Sequence, residues 1–108
     1  MRRSNKLSTL IQAAEILGLP ASDVTIAREY LTQNEHGLCL DTIITQLSEN
    51  NIPIDSRVYT LIDEIGTSMD LTPDSWQFLE ELIVPTESPE EIVRIELNKL
   101  FGIGSKKV

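Results

Sequence analysis

Apolar residues in this chain recur three and four positions apart, and nowhere do they alternate as a half-buried strand requires. Leu7, Leu10, Ile11, Ala14 and Leu17 mark one face of a first helix, stopped by Gly18 and Pro20. Ser22 or Asp23 is placed to cap a second helix, with Val24, Ala27, Tyr30 and Leu31 turned inward. Asn34-Glu35-His36-Gly37 reads as a tight connection to a third helix, which runs to about Ser48 with Leu40, Ile43, Ile44 and Leu47 inward. Pro53 drives Ile52 out of the helical region, and Asp55 caps a fourth helix carrying Val58, Leu61, Ile62, Ile65 and Met69.

Two more helices follow on the same logic. Thr72 and Pro73 suit the N-cap and first positions of a fifth, with Leu71 and Trp76 as its hydrophobic staple and Phe78, Leu79, Leu82 and Ile83 facing in. Ser88-Pro89-Glu90-Glu91 has the form of a capping box opening a sixth, which Gly102 ends. Its inward set is either Ile92, Ile95 and Leu100 or Val93, Leu97 and Phe101. The pattern predicts an all-α fold, a compact single-domain bundle of about six short helices over residues 7–102. Residues 1–6 then form a basic N-terminal tail and residues 103–108 a C-terminal tail. A chain of 108 residues can bury such a core without disulfides or a structural metal.

Charge is distributed unevenly over this frame. Residues 7–98 hold all 17 acids against Arg28, Arg57 and Arg94, a net −14, while six cations cluster at the two ends. Between Arg57 and Arg94 there is no Lys or Arg, and the stretch contains Asp63, Glu64, Asp70, Asp74, Glu80, Glu81, Glu87, Glu90, Glu91 and the only tryptophan, Trp76. Such a field repels phosphate backbones and speeds encounter with cationic proteins. Nucleic acid is therefore not expected as a direct partner. The lone Cys39 has no internal disulfide partner, and no stretch has the length and apolarity of a signal or membrane segment, so a cytoplasmic location without membrane contact is expected.

Chemistry finds little to work with. His36, the single histidine, falls in the Gly-containing turn, where an exposed polar residue needs no special role. Cys39 lies in the apolar run Leu38-Cys39-Leu40, where a free cysteine acts as a small hydrophobe, and no basic group activates it. Metal-ligand spacings and phosphate-cradling glycine motifs are absent, so neither a metal nor a cofactor is expected, and the chain does not read as an enzyme. What remains is a surface. Glu90, Glu91 and Asp74 occupy expected first turns, where the helix dipole accounts for acids. Asp63, Glu64, Glu80 and Glu81 have no such local reason and project away from the apolar stripes, without basic partners one turn away.

The residue order also resembles a known family. Glu29-Tyr30-Leu31, Asn34-Glu35-His36-Gly37-Leu38-Cys39-Leu40-Asp41, Ile52-Pro53-Ile54 and Tyr59 are similar to the MafI family of immunity proteins, and the likeness continues through Ile62, Ile65-Gly66, Met69 and Trp76 to Leu79. It spans roughly Val24 to Ile83. The resemblance implies a non-catalytic antitoxin of a bacterial polymorphic toxin or contact-dependent inhibition system. Its partner would be a cognate C-terminal toxin domain, basic and of nuclease or ribonuclease type, bound one to one in the cytoplasm. The candidate partner-binding residues are Asp63, Glu64, Glu80 and Glu81, with Asp70, Asp74, Trp76 and Glu35 beside them. The alternative is an acidic helical adaptor or regulatory subunit of another basic protein.

Overall fold

The computed structural model describes residues 2–102, and their periodicity resolves into five α-helices and two 3-10 turns. The helices are Arg3–Leu17 (α1), Ala21–Thr32 (α2), His36–Glu49 (α3), Ser56–Ser68 (α4) and Glu91–Phe101 (α5). The 3-10 turns, Pro73–Ser75 and Gln77–Leu82, lie between α4 and α5. No strand occurs among the described residues. One parallel bridge joins Ile54 to Ile83, where Ile54 N–H donates to Leu82 O (2.9 Å) and Val84 N–H to Ile54 O (2.8 Å).

Every helix stops at a left-handed residue: Gly18, Asn34, Asn51, Asp70 and Gly102. In the first four the next residue's N–H reaches back five positions, closing the terminal turn. Leu19 donates to Ala14 O (2.9 Å), Glu35 to Tyr30 O (2.8 Å), Ile52 to Leu47 O and Leu71 to Gly66 O (both 3.0 Å). This motif satisfies carbonyls that a helix end otherwise leaves open. Asparagine and aspartate tolerate the left-handed region better than other side chains, which explains the residue types at three of these stops.

α1 is the axis of the bundle and packs against all four other helices. Leu7, Leu10, Ile11, Ala13 and Ala14 are fully buried there, and the two alanines provide surfaces that neighbouring helices can approach closely. α5 docks through Leu97 and through Arg57 at the start of α4. The Arg57 guanidinium bonds Asp55 Oδ2 (Nη2, 2.8 Å; Nε, 3.2 Å) and Asn98 Oδ1 (3.0 Å), and lies 5.0 Å from the Phe101 ring centre. Asp55, the only buried charged residue described, also accepts from the N–H groups of Arg57 and Val58 as the N-cap of α4.

Several expectations are corrected. Residues 1–6 are not simply a tail, because α1 begins at Arg3 and its first turn is put to use. Arg3 donates to Ser68 O (2.7 Å) and Oγ (3.1 Å), placing a cation on the C-terminal end of α4, and Lys6 approaches Glu64. The tail expected at 103–108 lies outside the described residues. α2 starts at Ala21 with Pro20 in the cap position, ahead of Ser22 and Asp23. Neither Thr72 nor Ser88 caps a helix with its side chain: Thr72 precedes a 3-10 turn, and α5 opens only after Glu90, whose carbonyl takes the first helical bond from Arg94 N–H. Of the two inward sets for α5, the second holds, leaving Ile92 and Ile95 exposed.

The expected fifth helix is the largest departure. A repeat of three brings Trp76, Leu79 and Leu82 into line against the core, as eclipsed i and i+3 positions require. Phe78, expected inward on a 3.6-residue period, is thereby turned out and is 46% exposed.

A candidate partner-binding face

The face is built by α4 and the 3-10 segment, which are joined through two aromatic donors. Trp76 is 1% exposed, and its indole lies against Gly66 of α4, where any side chain would collide with the ring. From that position Trp76 Nε1 donates to Asp63 Oδ1 at 3.1 Å. One turn earlier on α4, Tyr59 Oη donates to Glu80 Oε2 at 3.2 Å. Burial first, then the charge and hydrogen bond of Glu80 and the charge of Asp63, push the Tyr59 hydroxyl above its ordinary pKa. Both carboxylates are thus held in place by neutral donors, which fix their geometry without cancelling their charge.

The structure brings some of the sequence candidates together and separates others. Asp63 and Glu80 flank Tyr59, and Glu81 follows on the same 3-10 turn, exposed and with no partner among the described residues. Glu81 shares an edge with Phe78, three residues before it, so the exposed ring is bordered by an acid. Glu64 points elsewhere, pairing with Lys6 of α1 at 3.5 Å. Asp70 is the left-handed stop of α4 and Asp74 lies exposed in the first 3-10 turn. Glu35 precedes α3, and the tip of the Met69 side chain, from the end of α4, reaches Gly37 in the first turn of that helix. Trp76 belongs to the core, and a partner cannot reach it without displacing it.

Two features escaped sequence reasoning. Tyr59 organises Glu80 across 21 positions of sequence, with the Tyr59–Asp63 spacing of one helical turn as its only local trace. Phe78 is surface because a 3-10 period replaced an α period.

Catalytic geometry is not evident in the described region. The Cys39 thiol is fully buried, which pushes its pKa up to about 11 and keeps it protonated at neutral pH. His36 is the first residue of α3 rather than a turn residue, and its buried Nε2 has no hydrogen-bond partner among the described residues. No group of three or more His, Cys, Asp or Glu there could hold a metal. None of the described helices is long and apolar enough to cross a membrane. No protein-family model, curated protein or solved structure matches this chain.

Proposed function

We propose that this chain is an immunity-type antitoxin, which neutralises a cognate basic toxin domain of nuclease type by covering its cationic cleft, one to one and without catalysis, in the cytoplasm. The observation that carries the reading is the α4–3-10 face, where Asp63 and Glu80 are held by Trp76 and Tyr59 rather than by cations. Among the described residues only Glu15, Asp55, Glu64 and Glu96, of the 17 acids, have a Lys or Arg within ion-pair distance. A nuclease must hold phosphates and so presents Lys and Arg, and an unneutralised acidic face complements such a cleft. The resemblance of Val24–Ile83 to MafI immunity proteins points the same way.

The test pairs the purified chain with the toxin domain encoded beside its gene. Co-expression should rescue cells from that toxin, and the two proteins should form a tight complex. Asp74→Lys with Glu81→Lys should slow association several-fold and flatten its salt dependence. These two positions suit the test because neither carries a structural hydrogen bond, whereas reversing Asp63 would also disturb Trp76. Equal killing with and without this protein would end the proposal.

A further inference from the structure

We propose that the outer face of α5 is a self-association surface, on which a second copy of this chain docks antiparallel about a twofold axis through Ile95. The inference stands apart from the toxin reading, since none of its residues belongs to the α4–3-10 face. Leu97, Val93, Leu100 and Phe101 turn inward, and the opposite side presents Ile92 and Ile95, 67% and 43% exposed. Ile92 is the most exposed large apolar residue described, and the two isoleucines lie one turn apart on the same side of the helix.

Charge identifies the occupant. Glu91 lies four residues before Ile95 and Lys99 four residues after it, so they fall about 40° to opposite sides of Ile95, and the three lie along one inclined ridge of the helix surface. When two such ridges lie along each other about a twofold centred on Ile95, the helices running in opposite directions and crossing at about 50°, a residue a given number of ridge positions before the centre faces the one equally far after it. Glu91 of each copy therefore meets Lys99 of the other, twice, around an Ile95–Ile95 contact. Both groups are available: Glu91 has no cation partner among the described residues, and Lys99 is 71% exposed with only a 3.7 Å contact to Glu96 in its own helix. Much of the remaining surface is acidic and would repel a copy of itself, whereas this face carries both signs in the order that a twofold can use.

An 11-residue helix is about 16 Å long, so the contact is smaller than a standard interface and the dimer is weak. A dissociation constant of roughly tens to hundreds of micromolar is expected. Sedimentation equilibrium of the full chain across that range should show a monomer–dimer equilibrium. Ile95→Asp should abolish it. Glu91→Lys and Lys99→Glu should each weaken it about fivefold, since each removes two ion pairs. The double exchange Glu91→Lys with Lys99→Glu restores opposite charges across the axis and should return dimerisation close to the wild-type level. Because all three positions are exposed, thermal unfolding by circular dichroism should confirm that every variant is folded. A monomer mass at all concentrations would overturn the proposal, as would a dimer indifferent to Ile95→Asp or one that the double exchange fails to restore.

Discussion

Gly66→Ala separates two physical expectations that have opposite signs. Gly66 is inside α4, and helix propensity alone says that alanine there should stabilise the protein by about 0.8–1 kcal/mol. Packing says the reverse. A Cβ on Gly66 would lie closest to Trp76 Cζ3, with Cη2 at 2.7 Å and Cε3 at 2.8 Å, against a comfortable carbon–carbon separation of about 3.5–4.0 Å. The indole must therefore retreat by roughly 1 Å, and overpacking of that kind costs about 1–3 kcal/mol. Its retreat also stretches the 3.1 Å bond from Nε1 to Asp63, adding about 1.5 kcal/mol for a bond to a charged acceptor. The net expectation is destabilisation of roughly 1.5–3.7 kcal/mol after the propensity gain is subtracted. Urea unfolding followed by circular dichroism measures it, and Trp76→Phe supplies the control. The smaller ring leaves room for the new methyl, so the double variant should lose much less than the sum of the two single losses. A Gly66→Ala protein more stable than wild type, or strictly additive losses, would show that the indole does not press on Gly66.

Other perturbations read different parts of the fold. Asp55→Asn keeps the cap of α4 but removes the charge that holds Arg57, and should cost about 2–3 kcal/mol in urea unfolding, discounted because Arg57 is partly solvated. Asp70→Gly relieves a left-handed aspartate at φ 60° and should raise stability by roughly 0.5–1 kcal/mol, while removing an acid and slowing association with a cationic partner. Asn51→Gly, at φ 49°, should give the stability gain without changing the charge. Cys39 should resist a disulfide-exchange reagent in the native state and react promptly in denaturant; fast native labelling would contradict its burial.

The helices were legible where apolar periodicity, caps and stops agreed. Asp55 caps α4 as its sequence position suggests, and Gly18 and Gly102 end α1 and α5. Legibility failed between Met69 and Glu90, where local signals named a helix and tertiary packing overrode them. Thr72-Pro73 is a good helix start, yet the register that seats Trp76 on Gly66 and continues to Leu79 and Leu82 advances by three residues, which an α-helix does not do. At the N-terminus the error had another source. Arg3 and Lys6 look like part of a solvated tail until a helix end and an acid are found for them, and both lie more than 50 positions away on α4. The candidate acids were readable as surface residues, but their grouping was not, because it depends on which of them an aromatic side chain can reach.

Those aromatic contacts lead to a last test, at Tyr59. A cation bound to Glu80 would have ordered it and erased its field; the Tyr59 hydroxyl orders it and leaves the field whole. Association rate with a basic partner depends on the long-range field, while dissociation depends on how well the bound geometry was set beforehand. Tyr59→Phe should therefore leave the association rate and its salt dependence nearly unchanged and raise the dissociation rate. Glu80→Gln should do the reverse on association, lowering its rate. The same contact has a signature in the free protein. With the folded-state pKa of Tyr59 raised above the ordinary value of 10.0, its contribution to stability is complete below that pH and is lost as pH rises through the folded value. In a Tyr30→Phe background the remaining phenol should ionise later in the folded chain than in the unfolded one, and Glu80→Gln should remove part of that delay. A Tyr59 that titrates like a free phenol would mean that Glu80 is not held, and the face would lose the order on which its proposed role depends.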